Sequence, residues 1–276
     1  MALHLQATSR DSLAGVAERL EGRIAPLSAG ERQQLGEQLY AVTRLLAAER
    51  TLRRALADPA TSSEQRKRLA ESVLNGKISS VALETVGDLV SARWSGPADL
   101  VEAAESLARQ ALLAAAEKQR ALDGVEDQLF RFGRILDREP ELTSLLSDTD
   151  VPADKRVALL DEVLGDKVYP VTAALLRETV RTPRGRYLDV TAEELADLAA
   201  ARRDRSVARV RTAVGLSDAQ EQRLTGTLTR LYGRDMSLQV ELDESLLGGM
   251  VIRVGDEVVD GSVAGKLAAA RRALPH

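Results

Sequence analysis

Gly261-Ser-Val-Ala-Gly265-Lys266-Leu267 is the stretch whose composition comes nearest to cradling a phosphate. A phosphate loop needs four residues between its glycines and a Ser or Thr after the lysine to reach a metal ion. Here three residues separate the glycines and Leu267 follows, so the stretch reads as a turn leading into a helix. The two histidines, His4 and His276, stand near the chain ends, and there is no cysteine. Neither a Cys–His or Ser–His–Asp relay nor a nitrogen/sulfur metal site is therefore expected, and thiol chemistry is excluded. Glu193 and Glu194 are adjacent carboxylates, but neighbours on a helix do not face each other. Asp243 and Asp260 read as strand-end residues that satisfy turn N–H groups. Trp94, just before Gly96-Pro97, reads equally as an interface anchor or a core residue. No catalytic residue, cofactor or metal is expected.

The bulk numbers agree with a helical interaction protein. The chain has 276 residues, a net charge of −4 and 3% aromatics, with a pI near 5.5. That balance argues against a dedicated nucleic-acid binder. Arg202, Arg203, Arg205, Arg209 and Arg211 read as a solvated helix end and strand face. The longest apolar run, Ala111 to Ala116, is far short of a membrane span. The N-terminus lacks the basic start and long apolar centre of a signal peptide. Any membrane association is expected to come through partners.

Most of the chain has helical spacing. Leu13, Val16, Leu20 and Ile24 make one face over 12–24. Ser28 and Glu31 form a capping box ahead of Leu35, Leu39, Val42 and Leu46. Thr61-Ser-Ser-Glu64 starts a further capped helix, stopped by Asn75-Gly76, and another runs near 80–93. An Ala-rich helix spans about 98–119. Helices then follow through Leu129, Phe132 and Leu136, from Pro152 to Gly165, and from Pro170 to Pro183. Thr191-Ala-Glu-Glu194 caps the next.

These passages resemble one passage written twice. Displacing the chain by ninety residues and comparing 39–90 with 129–180 makes fourteen of the fifty-two pairs identical. Leucine matches say little, since amphipathic helices share a period. Arg44/Arg134, Glu49/Glu139, Asp58/Asp148, Arg66/Arg156 and Lys77/Lys167 say more, because they are polar and sit among shared breaks. The reading is a duplicated helical unit.

After Arg205 the pattern changes. Val207–Thr212 reads as a strand, and Ser217-Asp-Ala-Gln220 caps a helix ended by Gly233. Met236, Leu238, Val240 and Leu242 then alternate with polar residues, the period of a half-buried strand. Two more strands are joined by Gly255-Asp256, a pair suited to a tight hairpin. Gly248-Gly249 sits where one strand turns sharply into the next and no Cβ would be tolerated. A last helix carries Val263, Leu267, Ala270 and Leu274. The predicted fold is mainly α with a small α+β C-terminal module: helical bundles at 1–99 and 100–205, then a β-hairpin-containing domain at 206–276.

The segment from Leu242 to Leu267, with Gly248-Gly249, Gly255, Asp260 and Gly261 in place, resembles the C-terminal signature of the ATP synthase delta subunit family, to which the oligomycin-sensitivity-conferring protein belongs. Ala264 departs from it, where many members carry a basic residue. The second copy is similar to the family's single helical bundle. The first resembles the extra bundle of extended actinobacterial members.

The resemblance implies a stator role. The bundle binds N-terminal helices of the alpha subunits, and the C-terminal module grips b-type peripheral-stalk helices. The protein sits at the cytoplasmic face of the cell membrane through its complex and resists rotor torque without catalysis. It also implies a groove between the helices at 102–118 and 170–182, with Ala108, Ala111, Leu112, Leu175, Leu176 and Thr179 as contacts. Those six residues read equally well as core. The competing class is a helical scaffold of another membrane-associated complex.

Overall fold

Leucine and alanine at three- and four-residue spacing give each helix one apolar stripe, which must be buried against another helix. The computed structural model describes residues 5–232, 236–246, 248–255, 257–263 and 265. Among them stand twelve α-helices and four β-strands, a mainly α chain with a small α+β module, as the sequence predicts. Two compact units divide the chain, Met1–Ala199 and Ala200–His276.

The first unit contains α1 (Ala7–Ile24), α2 (Ala29–Ala48), α3 (Arg50–Ala57), α4 (Ser63–Leu74), α5 (Ser80–Ser91), α6 (Pro97–Lys118), α7 (Leu122–Arg138), α8 (Pro140–Ser147), α9 (Ala153–Leu164), α10 (Pro170–Arg181) and most of α11 (Leu188–Ser206). The Ser28–Glu31 capping box opens α2 as predicted. In α4 the box is Ser62 with Gln65, one residue later than read from the sequence. Thr191 does not cap α11. That helix begins at Leu188, and the Thr191 hydroxyl donates within it to the Tyr187 carbonyl.

The bounds of α3 and α8, of α4 and α9, and of α5 and α10 are each ninety residues apart, and α1 and α6 begin ninety apart. One contiguous apolar core runs from Leu5 to Ala199. Its centre is α6, which buries 15 of its 22 residues and leaves a narrow polar stripe of Asp99, Glu102, Ser106 and Gln110 half-exposed. A helix with so wide an apolar surface must be enclosed by neighbours. Here α1, α2, α3, α5, α7 and α10 all pack on it.

In the second unit a four-stranded sheet has the order β2-β1-β3-β4. It comprises β1 (Val207–Thr212), β2 (Ser237–Leu242), β3 (Met250–Val254) and β4 (Glu257–Asp260), with α12 (Asp218–Tyr232) as the crossover between the parallel pair β1 and β2. Ser217 and Gln220 open α12. The two-residue hairpin joins antiparallel β3 and β4, with Gly255 at φ +57°. Ala208, Leu228, Met236 and Val254 form this unit's own core. Leu238 and Val240 are half-buried, whereas Leu242 is 65% exposed. The inward face thins there because β2 is an edge strand with β1 as its one neighbour. The expected stop at Gly233, the turn residue Asp256, the departure at Ala264 and the helix through Leu267, Ala270 and Leu274 lie outside the described residues, as do His4, His276 and Lys266.

Candidate functional site

The six groove residues come together. Ala108, Ala111 and Leu112 on α6 and Leu175, Leu176 and Thr179 on α10 are all buried in the shared core, and the Thr179 hydroxyl is satisfied by the Leu175 carbonyl. A third helix, α2, packs on this edge and meets Leu112. Along α2, Arg32, Gly36, Tyr40 and Arg44 recur every four residues and make one stripe. Arg32 donates to the Ala114 carbonyl at 3.0 Å. Gly36 lets the backbones close: a Cβ there would stand 2.6 Å from Leu112 Cγ and 3.1 Å from the Leu112 amide nitrogen. Tyr40 is buried beside Arg109, Glu105 and Glu178, and burial pushes its phenol up. Arg44 meets Glu178 on α10 at 2.5 Å. A helix of the first copy therefore lies on the α6–α10 edge of the second.

A buried charge cluster ties the segment after α10 to α6. Glu105 accepts from Arg109 at 2.7 Å and from Arg184 and Arg186 at 2.5 Å each. Glu102 reaches Arg184 at 3.1 Å. Burial pushes the Glu105 carboxyl up, but the guanidiniums of Arg109, Arg186 and Arg184 outweigh it and hold the group below the ordinary carboxylate value. The chain reaches this clamp through a left-handed turn at Arg184 (φ +53°) and Gly185 (φ +74°). Sequence reading passed over this cluster. Its signal was Glu105 and Arg109, one turn apart on an alanine- and leucine-rich helix.

Trp94 is a core residue, with its indole N–H on the Leu89 carbonyl at 2.9 Å. Arg202 departs from the reading of a solvated arginine run: it is 2% exposed. Arg209 and Arg211 do lie on an exposed strand face.

The signature residues of the second unit build one turn system. Gly248 and Gly249 have φ +138° and +77°. A Cβ on Gly249 would overlap the Gly261 carbonyl oxygen and stand 2.9 Å from Ser262 Cα. Gly261 N–H donates to the Met250 carbonyl, and Val263 N–H to that of Gly248. Asp260 accepts from the Ser262 amide at 2.9 Å and its hydroxyl at 2.7 Å. Ser262 in turn accepts from Gly265 N–H. Asp243 receives Ser245 in the same way. These hydrogen bonds from serine hold both carboxyls below their ordinary values. The Asp260 carboxylate stands where a Gly265 side chain would be. A fixed anion inside that turn opposes a phosphate there, as the glycine spacing had implied.

Buried polar couplings between helices, a helix of one copy packed on the other, and a small α+β module define a mainly helical repeat protein with an α+β end. The chain belongs to the ATP synthase delta (OSCP) subunit family, whose model matches residues 108–274. It is 44% identical over 273 residues to the ATP synthase subunit delta of Acidothermus cellulolyticus, covering 98% of this chain and 99% of that one. The Streptomyces griseus ATP synthase subunit delta is 44% identical over 270 residues, with the same coverage. The ATP synthase subunit b-delta of Mycobacterium sp. (strain KMS) is 47% identical over 271 residues, 98% of this chain, which spans 61% of that protein's length. The extended actinobacterial form, with helices ahead of the family model, is thus the form that this chain shares.

Proposed function

We propose that this chain is the stator cap of a proton-translocating ATP synthase. It links the catalytic alpha/beta head to the peripheral stalk and resists rotor torque. The observation that carries this reading is the near full-length likeness to delta subunits. The buried couplings support it, because a torque-bearing link must be stiff, and the Glu105 cluster and the Arg44–Glu178 pair each fix one element against another. In this reading the chain contributes binding and stiffness, and the reaction belongs to other subunits.

The bundle at 100–205 receives alpha-subunit N-terminal helices, and the extra bundle at 1–99 lies along the b-type subunit. The module at 206–276 holds the b-type stalk subunit. The Mycobacterium relative's name, b-delta, favours a b-type partner. Ala108, Ala111, Leu112, Leu175, Leu176 and Thr179 form the helix-receiving groove, and in the resting chain α2 supplies the helix. No helix among the described residues is long and apolar enough to cross a membrane. The protein is held at the cytoplasmic membrane face through its complex.

Crosslink mapping of purified ATP synthase tests the assignment. The expected links run from residues 100–205 to alpha N-terminal segments and from 206–276 to a b-type subunit. Links to neither would refute it.

A further inference from the structure

The ninety-residue repeat gives α2 positions from Arg32 onward a counterpart on α7: Tyr40 corresponds to Phe130, Arg44 to Arg134 and Leu45 to Ile135. The pairs differ in what covers them. Tyr40 is 4% exposed because it lies against the second copy, whereas Phe130 is 55% exposed. Arg44 meets Glu178 on α10, while Arg134 is exposed and makes no ion pair among the described residues. Leu45 packs on the core, and Ile135 is 42% exposed. Ninety residues beyond the start of α10 stand Asp260, the last residue of β4, and the turn it makes with Ser262.

We infer that the Phe130–Arg134–Ile135 face of α7 is a docking face for an amphipathic helix of another subunit that presents a carboxylate beside small aliphatic side chains. The first copy shows what such a face accepts. On α2 the matching Arg44 is answered by Glu178 of α10, set in the sequence Ala-Ala-Leu-Leu-Arg-Glu-Thr-Val, while Tyr40 lies against Arg109 and Glu105 of α6. An exposed aromatic and aliphatic pair beside an unanswered guanidinium fits the same chemistry. A second copy of this chain fits poorly. The residue that corresponds to Glu178 is Asp88 on α5, already held by Arg23 at 2.6 Å and Arg19 at 3.0 Å. This inference rests on the proposed stator reading for its assembly and adds a specific face to it.

The test uses the full chain in its native enzyme. Phe130 is replaced by photoreactive p-benzoylphenylalanine, ATP synthase is purified and irradiated, and the joined peptide is sequenced. The same replacement at exposed Glu71 on α4 is the control. The expected product joins Phe130 to a helical segment of another subunit with an Asp or Glu within one turn. Arg134→Glu should weaken retention in the enzyme at least about tenfold. Arg134→Lys should keep most of it, and reversing the partner's carboxylate should restore it. The melting temperature of the free chain should not change in either variant. Crosslinks no more frequent than at Glu71, a link to another copy of this chain, or a partner segment without a carboxylate would overturn the inference and leave the stator reading standing. So would normal retention of Arg134→Glu, or loss of its fold. Absence of the unmodified chain from the purified enzyme would overturn both.

Discussion

Arg66 and Arg156 make the same hydrogen bonds ninety residues apart. Arg66 donates to the carbonyls of Thr61 and Val90. Arg156 donates to those of Val151 and Val180, each the counterpart of the first pair. Both guanidiniums are buried, and each ties the end of one helix (α5 or α10) to the turn before another (α4 or α9). Gln38 and Gln128 repeat the device at the other end: each side-chain oxygen accepts the amide N–H of the N-cap residue, Ser79 or Tyr169. Interiors retain a polar residue when its removal strands several carbonyls at once.

Removing either arginine should therefore cost stability. Arg66→Leu and Arg156→Leu should each lose about 3 kcal/mol in urea denaturation. The Arg66 change should be the worse, since Arg66 also bonds Asp58, Ser91 and Ala92. Lysine should not rescue either site, because a single ammonium cannot reach carbonyls on two sides.

Glu105→Gln should lose about 3 kcal/mol, since it leaves three arginines around a neutral group. The pH dependence has a definite sign. The folded carboxyl lies below its ordinary value, so its contribution is present above the unfolded pKa of about 4.3. It is lost as pH falls through the lowered folded value. The parent should weaken on acidification more steeply than Glu105→Gln, measured by denaturation between neutral pH and pH 3.

Gly36→Leu should separate α2 from α6. The added side chain meets Leu112 and its backbone, an overpacking cost of about 3 kcal/mol. Adding Leu112→Ala should recover part of that loss. A double-mutant cycle with no coupling would deny the contact.

Gly249→Ala should unravel the second unit alone. It combines a positive φ with a clash against Gly261, together about 3 kcal/mol. Hydrogen exchange over 250–260 should accelerate. Fluorescence of Trp94, the one tryptophan, should report an unchanged transition in the helical unit.

Local features were legible in the sequence. The Ser28–Glu31 box, the Gly255 hairpin and the Asp260 turn depend on neighbours a few residues away, so spacing alone encodes them. The repeat was legible because Arg66/Arg156 and Asp58/Asp148 are polar matches that shared amphipathicity does not explain. The α2 stripe was not. Arg32, Gly36, Tyr40 and Arg44 have no common hydropathy, and their meaning comes from α6 and α10, far along the chain. For the same reason the packing of α2 against Leu112 had no signal in the sequence. Arg202 was hidden in a run of arginines whose composition says solvent.

Coupling is the central claim, and proton pumping by membrane vesicles tests it most directly. Vesicles whose ATP synthase lacks this chain should hydrolyse ATP with little acidification, and adding the purified chain should restore pumping. Acidification that is unaffected by the chain's removal would contradict the account.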